Sequence, residues 1–127
     1  MTSAPTPTES QEQISLFEWA KLSIKKYPEL QWLHHIPNGG YRNPREARRF
    51  KQEGVKAGVP DLFLPVPRGD YCGLYVEMKR RKGGKVTEDQ AEWHEALRDF
   101  GYQVEIARGW DVAKGLIESY LTQRKLK

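Results

Sequence analysis

The sequence predicts a single α/β domain with a mixed central sheet flanked by helices. A chain of 127 residues has room for one hydrophobic core. Helical and strand-like periodicities alternate along it in the order helix, strand, short helix, two strands, helix, strand, helix. No apolar run approaches the roughly 20 residues that span a bilayer, and the first ten residues lack the basic start and apolar stretch of a signal peptide. We therefore expect a cytoplasmic, globular protein with no membrane partner.

The N-terminal third predicts one helix and one short strand. After a flexible tail at residues 1–8, apolar residues recur at helical spacing within residues 11–26, and Pro28 ends the helix. The predicted apolar face consists of Ile14, Leu16, Phe17, Ala20 and Ile24. Residues 31–36 form an apolar and aromatic stretch, which predicts a strand ended by the Pro-Asn-Gly-Gly turn at residues 37–40.

A short basic helix is predicted next, inserted between the first two strands. Asn43 is suited to cap this helix, Pro44 takes the first helical position, and Glu46 completes a capping box. Gly54 marks its end.

Two strand-like segments at residues 61–66 and 73–79 predict a β-hairpin centred on Gly69. In that register Leu62 lies opposite Val76, and one face of the hairpin carries an unbroken apolar row. A shift by one residue would mix carboxylates and a lysine into this row. The parity of the register is therefore fixed, whereas a shift by two residues stays open.

The other face of the hairpin places Asp61 opposite Glu77, with Lys79 beside Glu77. Directly opposed residues on antiparallel strands have Cβ atoms about 4.5–5.5 Å apart, so the two carboxylates repel each other unless a cation lies between them. Mg²⁺ takes oxygen ligands of this kind, and with Lys79 nearby it would support phosphodiester hydrolysis by activating water and offsetting charge on phosphorus. The alternative is a surface salt bridge between Lys79 and either carboxylate.

The C-terminal third predicts a helix, a strand and a last helix. Thr87 and Gln90 form a capping box for the first helix, which ends at Gly101. Its predicted apolar face consists of Trp93, Leu97 and Phe100. Residues 102–106 alternate as a half-buried strand, and Asp111 caps the last helix. The predicted apolar face of that helix consists of Val112, Leu116, Ile117, Tyr120 and Leu121.

Positive charge is concentrated in two segments. The net charge is +4, yet residues 42–56 carry six basic and two acidic residues, and residues 79–85 carry five basic residues and no acidic one. Two such segments around a pair of carboxylates favour a nucleic-acid partner, although a solvated basic surface is the alternative for each segment alone. The expected DNA-binding residues are Arg42, Arg45, Arg48, Arg49, Lys51, Lys56, Arg80, Arg81, Lys82 and Lys85.

Three motifs give the chain a resemblance to a known family. Gly-Val-Pro-Asp-Leu at residues 58–62, Tyr-Val-Glu-Met-Lys at residues 75–79, and the Thr, Gln and Trp of residues 87–93 resemble the VRR-NUC family of the PD-(D/E)XK nuclease superfamily. The stretch His-Ile-Pro-Asn-Gly-Gly at residues 35–40 is similar to the stand-alone, phage-type members. The resemblance implies a restriction-endonuclease-like αβββαβ core over residues 9–122, followed by a basic C-terminal tail.

The resemblance also implies roles for individual residues. The implied ligands of Mg²⁺ or Mn²⁺ are Asp61, Glu77 and the backbone carbonyl of Met78. Lys79 is the implied catalytic lysine. Gln90 matches the family's helix glutamine that points toward the site, or else only closes the capping box. The family also places a glutamate of the first helix near the metal: we expect Glu9, which requires the helix to begin slightly earlier than residue 11, with Glu12 and Glu18 as alternatives.

The expected function is a divalent-metal-dependent DNA endonuclease, either structure-selective like a Holliday-junction resolvase or nicking. Stand-alone members of the family resemble homodimers, so a homodimer is implied, with a helicase or recombination protein as a candidate partner. The alternative is a non-catalytic nucleic-acid-binding module of a replication or recombination complex. A protein-interaction adaptor is a third hypothesis, supported only by the exposed basic helix.

Overall fold

The computed structural model describes residues 5–38 and 43–125. Within these ranges the chain forms four α-helices, a short 3₁₀ helix and one four-stranded sheet. In chain order the elements are α1 (Glu9–Leu22), the 3₁₀ helix (Pro28–Trp32), β1 (His34–His35), α2 (Pro44–Gln52), β2 (Leu62–Leu64), β3 (Leu74–Lys79), α3 (Glu88–Asp99), β4 (Gln103–Arg108) and α4 (Trp110–Leu121). The predicted α/β class and the position of the short basic helix between the first two strands are confirmed.

The sheet is mixed, and its strands lie side by side in chain order. β1, β2 and β3 are antiparallel neighbours, whereas β4 runs parallel to β3. Leu62 pairs with Val76 and Leu64 pairs with Leu74, which is the register of a hairpin centred on Gly69. This confirms the predicted parity and excludes the shift by two residues that the apolar pattern left open.

The hydrophobic core lies between one face of the sheet and the helices α1 and α4. Its members from β2 and β3 include Leu62, Leu64, Leu74, Val76 and Met78, and its members from the two helices include Leu16, Ala20, Ala113, Ile117 and Tyr120. The opposite face of β3 meets α3, where Gln90 contacts Lys79 and His94 contacts Glu77. None of the helices in the described part of the chain is both long and apolar enough to cross a bilayer.

Side-chain caps determine where three of the helices begin. Thr8 forms a capping box, so α1 starts at Glu9, slightly before the predicted position. Asn43 caps α2 as predicted, because its Oδ1 accepts hydrogen bonds from the backbone amides of Arg45 and Glu46. The described hydrogen bonds do not include one from the Asn43 amide to the Glu46 side chain, which the predicted capping box requires. Thr87 forms the predicted capping box at the start of α3.

The buried face of α1 differs from the predicted apolar face. The buried residues of the helix are Glu12, Leu16 and Ala20. Ile14 is 56% exposed, and Ile24 lies beyond the end of the helix at Leu22. Pro28 opens the 3₁₀ helix and is not the residue at which α1 stops. The difference arises because a charged residue, Glu12, takes an inward position that a hydrophobic pattern does not reveal.

Two predicted strands are much shorter in the structure, and on three elements of the C-terminal third a predicted apolar residue is exposed. Of residues 31–36 only His34–His35 form a strand, since the 3₁₀ helix occupies the preceding turn. The strand predicted at residues 61–66 is limited to Leu62–Leu64. The predicted apolar residues of the C-terminal third that remain exposed are Phe100, directly after α3, Ile106 on β4 and Val112 on α4. Phe100 lines an open groove between α2 and α3 together with Phe50 and Trp93.

The start of α4 depends on a glycine and not on the predicted cap at Asp111. Gly109 precedes the helix with φ of +100°, a conformation that favours glycine. A Cβ at this position would lie 2.7 Å from the guanidinium carbon of Arg81. Asp111 lies in the first turn, where its Oδ1 pairs with Arg81 at 2.8 Å. The Arg81 guanidinium lowers the pKa of Asp111 below its usual range.

The packing of α4 against the hairpin yields a first testable prediction. Tyr120 is fully buried and its hydroxyl donates a 2.6 Å hydrogen bond to the carbonyl of Val66. Burial raises the pKa of Tyr120 to about 12. Because Tyr120→Phe leaves a carbonyl without its donor, we expect the free energy of unfolding to fall by about 1–2 kcal/mol, measured by urea denaturation. The control is Tyr71→Phe at an exposed ring, where we expect a change within about 0.5 kcal/mol. Equal effects of the two substitutions would contradict this account of the packing.

Candidate active site

Asp61 lies at the entrance to β2 and is held from two sides. Its Oδ2 accepts a 2.7 Å hydrogen bond from the backbone amide of Met78 on β3. Its Oδ1 accepts a 3.1 Å hydrogen bond from Nδ2 of Asn38, which also donates to the carbonyl of Val59 at 2.7 Å. The carboxylate therefore has a fixed orientation across the hairpin, toward the side chain of Glu77.

Glu77 is buried on the sheet face that meets α3, with a relative exposure of 1%. Burial is the main cause that raises its pKa, to about 9, and a hydrogen bond with Asp61 and the negative charges of Asp61 and Glu9 raise the pKa further. The positive charge of Lys79 lowers the pKa of Glu77, but by less than these other effects raise it. Among the ion pairs of the described residues, none joins Asp61 or Glu77 to a lysine or an arginine. The two carboxylates thus share a site that is short of positive charge.

His94 contacts the same carboxylate and was not anticipated from the sequence. Its Nε2 lies 3.1 Å from Oε1 of Glu77, and both side chains are almost completely buried. Burial and the positive charges of Arg98 and Lys79 lower the pKa of His94, so its imidazole is neutral near pH 7. The available signal was its spacing from Gln90, since residues four apart on a helix share one face.

Lys79 is buried at the end of β3, with a relative exposure of 5%. Its Nζ donates to the carbonyl of Lys85 at 3.1 Å and to Oε1 of Gln90 at 3.0 Å. The same Gln90 oxygen accepts the backbone amide of Thr87 at 2.9 Å, which closes the capping box of α3. Gln90 therefore contacts Lys79 and closes the capping box of α3 at the same time. The two roles considered for this residue, contact with the site and helix capping, are thus compatible.

The three candidate glutamates of α1 occupy different environments. Glu12 is buried and bound by Arg81, whose Nε and Nη2 lie 2.8 and 3.1 Å from its carboxylate oxygens, and by the amide of Trp110 at 3.1 Å. Glu18 lines a shallow surface depression with other α1 residues. Glu9 is exposed one turn before Glu12, and its charge acts on Glu77. The surroundings of these side chains favour Glu9 as the glutamate that approaches the site.

The donor set at this site is made of oxygen atoms and is incomplete without water or substrate. Among the described residues, no group of three or more His, Cys, Asp or Glu side chains is arranged to hold a metal ion. Asp61 and Glu77 supply two carboxylates, and the backbone of Met78 lies beside them through its bond to Asp61. A small number of carboxylates suits a hard divalent cation such as Mg²⁺, which keeps several of its waters.

Most of the expected DNA-binding side chains are exposed, with two qualifications. The exposed ones are Arg45, Arg48, Lys51 and Lys56 in and after α2, and Arg80, Lys82 and Lys85 after β3. Arg49 is also exposed but lies 3.7 Å from Glu53 and over the ring of Phe50. Arg81 is bound by Glu12 and Asp111, so its guanidinium supports the packing of α1 on α4. Arg42 lies outside the described residues.

Comparisons with known proteins agree with this geometry. Residues 8–111 match the VRR-NUC domain. A solved structure described as a VRR_NUC domain protein superposes with a TM-score of 0.82 and is 33% identical in sequence, and the match covers 98% of this chain and 96% of that chain. A comparison with curated protein sequences finds no significant match.

The crowding of the two carboxylates predicts a pH-dependent stability. Between the ordinary Glu pKa near 4.5 and the raised value of about 9, Glu77 keeps its proton in the folded protein and loses it on unfolding. The unfolded state binds fewer protons in that window, so this residue makes stability fall as the pH rises. Glu77→Gln removes the effect, and we expect it to stabilise the protein increasingly from pH 5 to pH 9, by up to about 1.4 kcal/mol per pH unit.

The measurement is denaturant unfolding in EDTA at several pH values. Glu95→Gln on the exposed face of α3 is the matched control and should give a nearly pH-independent difference. A Glu77→Gln difference that does not grow with pH would contradict the assignment of a raised pKa.

Proposed function

Because the chain belongs to the VRR-NUC family, we propose that it is a divalent-metal-dependent DNA endonuclease that hydrolyses phosphodiester bonds. The observation that carries the proposal is the pair of carboxylates, Asp61 and Glu77, held together across the hairpin with no lysine or arginine bound to either among the described residues. Such a pair is costly to the fold, which favours a site selected for binding a cation over a structural salt bridge.

The residues present fit Mg²⁺ or Mn²⁺ in the chemistry of their donors. Asp61, Glu77 and the carbonyl of Met78 would hold the ion. Glu9, which is not grouped with the two carboxylates in the structure, would join them only after its side chain moves toward the site. When bound, a divalent cation supplies Lewis-acid stabilisation of negative charge on the phosphate and activates water. Asn38 and the amide of Met78 orient Asp61, and His94 orients Glu77. Neighbours that fix the ligands of a metal in this way are common around such sites.

Lys79 would supply the second positive charge. Its ammonium is held by two neutral oxygens, the Lys85 carbonyl and the Gln90 side chain, and neither of them cancels its charge. A fixed ammonium at the end of β3 stabilises the negative charge that develops on the phosphate in the transition state. Gln90 would contribute by holding the lysine in place.

DNA would be bound by the exposed basic residues of α2 and of the segment after β3. α2 has no buried residue, and its arginines and lysine extend into solvent. Phosphate contacts of this type give affinity without sequence preference. We extend the proposal in three ways. The chain would have a restriction-endonuclease-like αβββαβ core, and its cleavage would be either structure-selective, like that of a Holliday-junction resolvase, or nicking. The protein would act as a homodimer and work beside a helicase or recombination protein.

A cleavage assay tests the proposed reaction. Labelled duplex, flap, single-stranded and four-way-junction DNAs are incubated with the protein in Mg²⁺, Mn²⁺ or EDTA. We expect metal-dependent cuts, and a loss of at least about 100-fold in rate for Lys79→Ala because a fixed charge next to the phosphate is removed. The matched control is Lys25→Ala, an exposed lysine outside both basic segments, which should cleave as the wild type does. Cleavage in EDTA, or full activity of Lys79→Ala, would refute the assignment. Salt-sensitive binding without any cleavage would support a non-catalytic DNA-binding module instead.

The proposed DNA surface is tested by the salt dependence of binding. The dissociation constant for duplex DNA is measured in EDTA at several salt concentrations, for the wild type and for Arg45→Ala and Arg48→Ala on α2. Each substitution should reduce the slope of log Kd against log salt by about 1, because one phosphate contact is lost. Arg124→Ala removes an arginine that pairs with Asp70 and should leave the slope unchanged. Equal slopes for all variants would remove α2 from the DNA surface.

A further inference from the structure

Arg108, the last residue of β4, binds the loop between β3 and α3, and none of the ion pairs among the described residues involves it. Its Nη1 donates to the carbonyls of Arg80 and Gly83 at 3.1 and 2.6 Å, and its Nη2 donates to the carbonyl of Gly84 at 3.0 Å. In the parallel pairing of β3 and β4, Arg108 is the register partner of Lys79. The exposed guanidinium of Arg108 thus donates its described hydrogen bonds to the backbone of one neighbouring loop.

This loop, residues 80–87, is anchored at its start by Arg81, which binds Glu12 and Asp111. Beyond Arg81, the described hydrogen bonds that hold residues 82–85 come from Arg108 and from Lys79. The loop contains no helix or strand, nearly all of its residues are exposed, and Gly83 and Gly84 have φ of +76° and +69°. Its charged side chains are all basic, and those without a described acidic partner, which repel one another, are Arg80, Lys82 and Lys85. Three bonds from one planar group to three carbonyls restrict such a segment more than any single contact does.

The conformation of the loop determines where the Lys79 ammonium is held. The Lys85 carbonyl, which belongs to the loop, is one of the two acceptors of Lys79 Nζ. The other acceptor, Gln90, lies at the start of α3, where the loop ends. A loop released from Arg108 would lose the defined position of the first acceptor.

We propose that Arg108 is a positioning residue that keeps Lys79 in its buried orientation by fixing the loop between β3 and α3. The role of Lys79 in cleavage rests on the proposed function, whereas the effect of Arg108 on the position of Lys79 does not. The competing role for an exposed arginine beside a basic segment is a phosphate contact, and it predicts a different pattern of losses.

The first experiment measures the position of Lys79 without any catalysis. The protein is treated with acetic anhydride, and the rate of acetylation of each lysine is followed by mass spectrometry. In the wild type, Lys79 should react at least about tenfold more slowly than the exposed Lys82 of the same loop, because burial protects it. In Arg108→Ala this protection should be largely lost. Arg108→Lys keeps the charge but lacks the planar fork, so it should behave as Arg108→Ala does.

The second experiment separates cleavage from binding. Single-turnover rates at saturating protein are compared with dissociation constants for the same DNA in EDTA. Arg108→Ala should lower the rate about 10- to 100-fold, as expected when a reacting group is misplaced, and change Kd less than about threefold. Arg80→Ala removes one positive charge from the loop itself and keeps all three bonds, since Arg108 binds the backbone carbonyl of residue 80, and it should weaken binding.

The outcomes distinguish a failure of the Arg108 inference from a failure of the proposed nuclease function. Unchanged protection of Lys79 in Arg108→Ala overturns the inference, and so does a loss confined to Kd, which would make Arg108 a phosphate ligand. Lost protection of Lys79 together with a reduced rate supports it. If the wild type cleaves no DNA with any metal, the proposed function fails, and the acetylation rates still decide whether Arg108 positions Lys79.

Discussion

The antiparallel register between β2 and β3 is the constraint on which the rest of the candidate site depends. Leu62 and Val76 are paired and buried in the core beneath the sheet. A slip by one residue would turn the carboxylate face of the hairpin into that core, so the register is strongly specified. The same pairing brings Asp61 next to Glu77 on the other face. The stability of the core therefore forces two acidic groups together.

The acidic side chains at this end of the sheet fall into two groups that differ in whether an arginine neutralises them. Glu12 and Asp111 are neutralised by Arg81, and this three-residue cluster joins α1, α4 and the end of β3. Asp61 and Glu77 are hydrogen-bonded to each other, and their other side-chain hydrogen-bond partners among the described residues are neutral: Asn38, the backbone amide of Met78 and His94. A buried carboxyl group such as Glu77, with a raised pKa and no lysine or arginine bound to it among the described residues, is typical of functional sites. That contrast within one end of the sheet supports a cation site more strongly than the motif alone.

A residue's position can be predicted from the sequence when the pattern of its neighbouring residues determines that position. The parity of the hairpin register was predictable because a wrong parity would bury Asp, Glu and Lys, whereas the choice among registers of that parity required the centre of the turn at Gly69. The start of α3 was predictable because Thr87 and Gln90 form a local capping box. Both are properties of a few neighbouring residues.

Positions that depend on distant partners could not be predicted in this way. Glu12 points inward because Arg81, 69 residues away along the chain, meets it there, and this displaced Ile14 from the predicted buried face. His94 and Asn38 contact the carboxylates through the tertiary fold. The spacing of His94 from Gln90 places both on one helix face but does not identify Glu77 as the partner of His94, and a turn asparagine carries no such signal. The double role of the Gln90 oxygen also required the position of Lys79.

The most direct test of this account is a calorimetric titration of the wild-type protein with Mn²⁺ and Mg²⁺ near pH 7.5, in two buffers of different ionisation enthalpy. The account predicts saturable binding with release of protons, since Glu77 must give up its proton to bind a cation. It also predicts that Asp61→Asn and Glu77→Gln abolish the binding. Absence of saturable binding by the wild type, or binding that survives both substitutions, would contradict the central claim that these two carboxylates form a cation site.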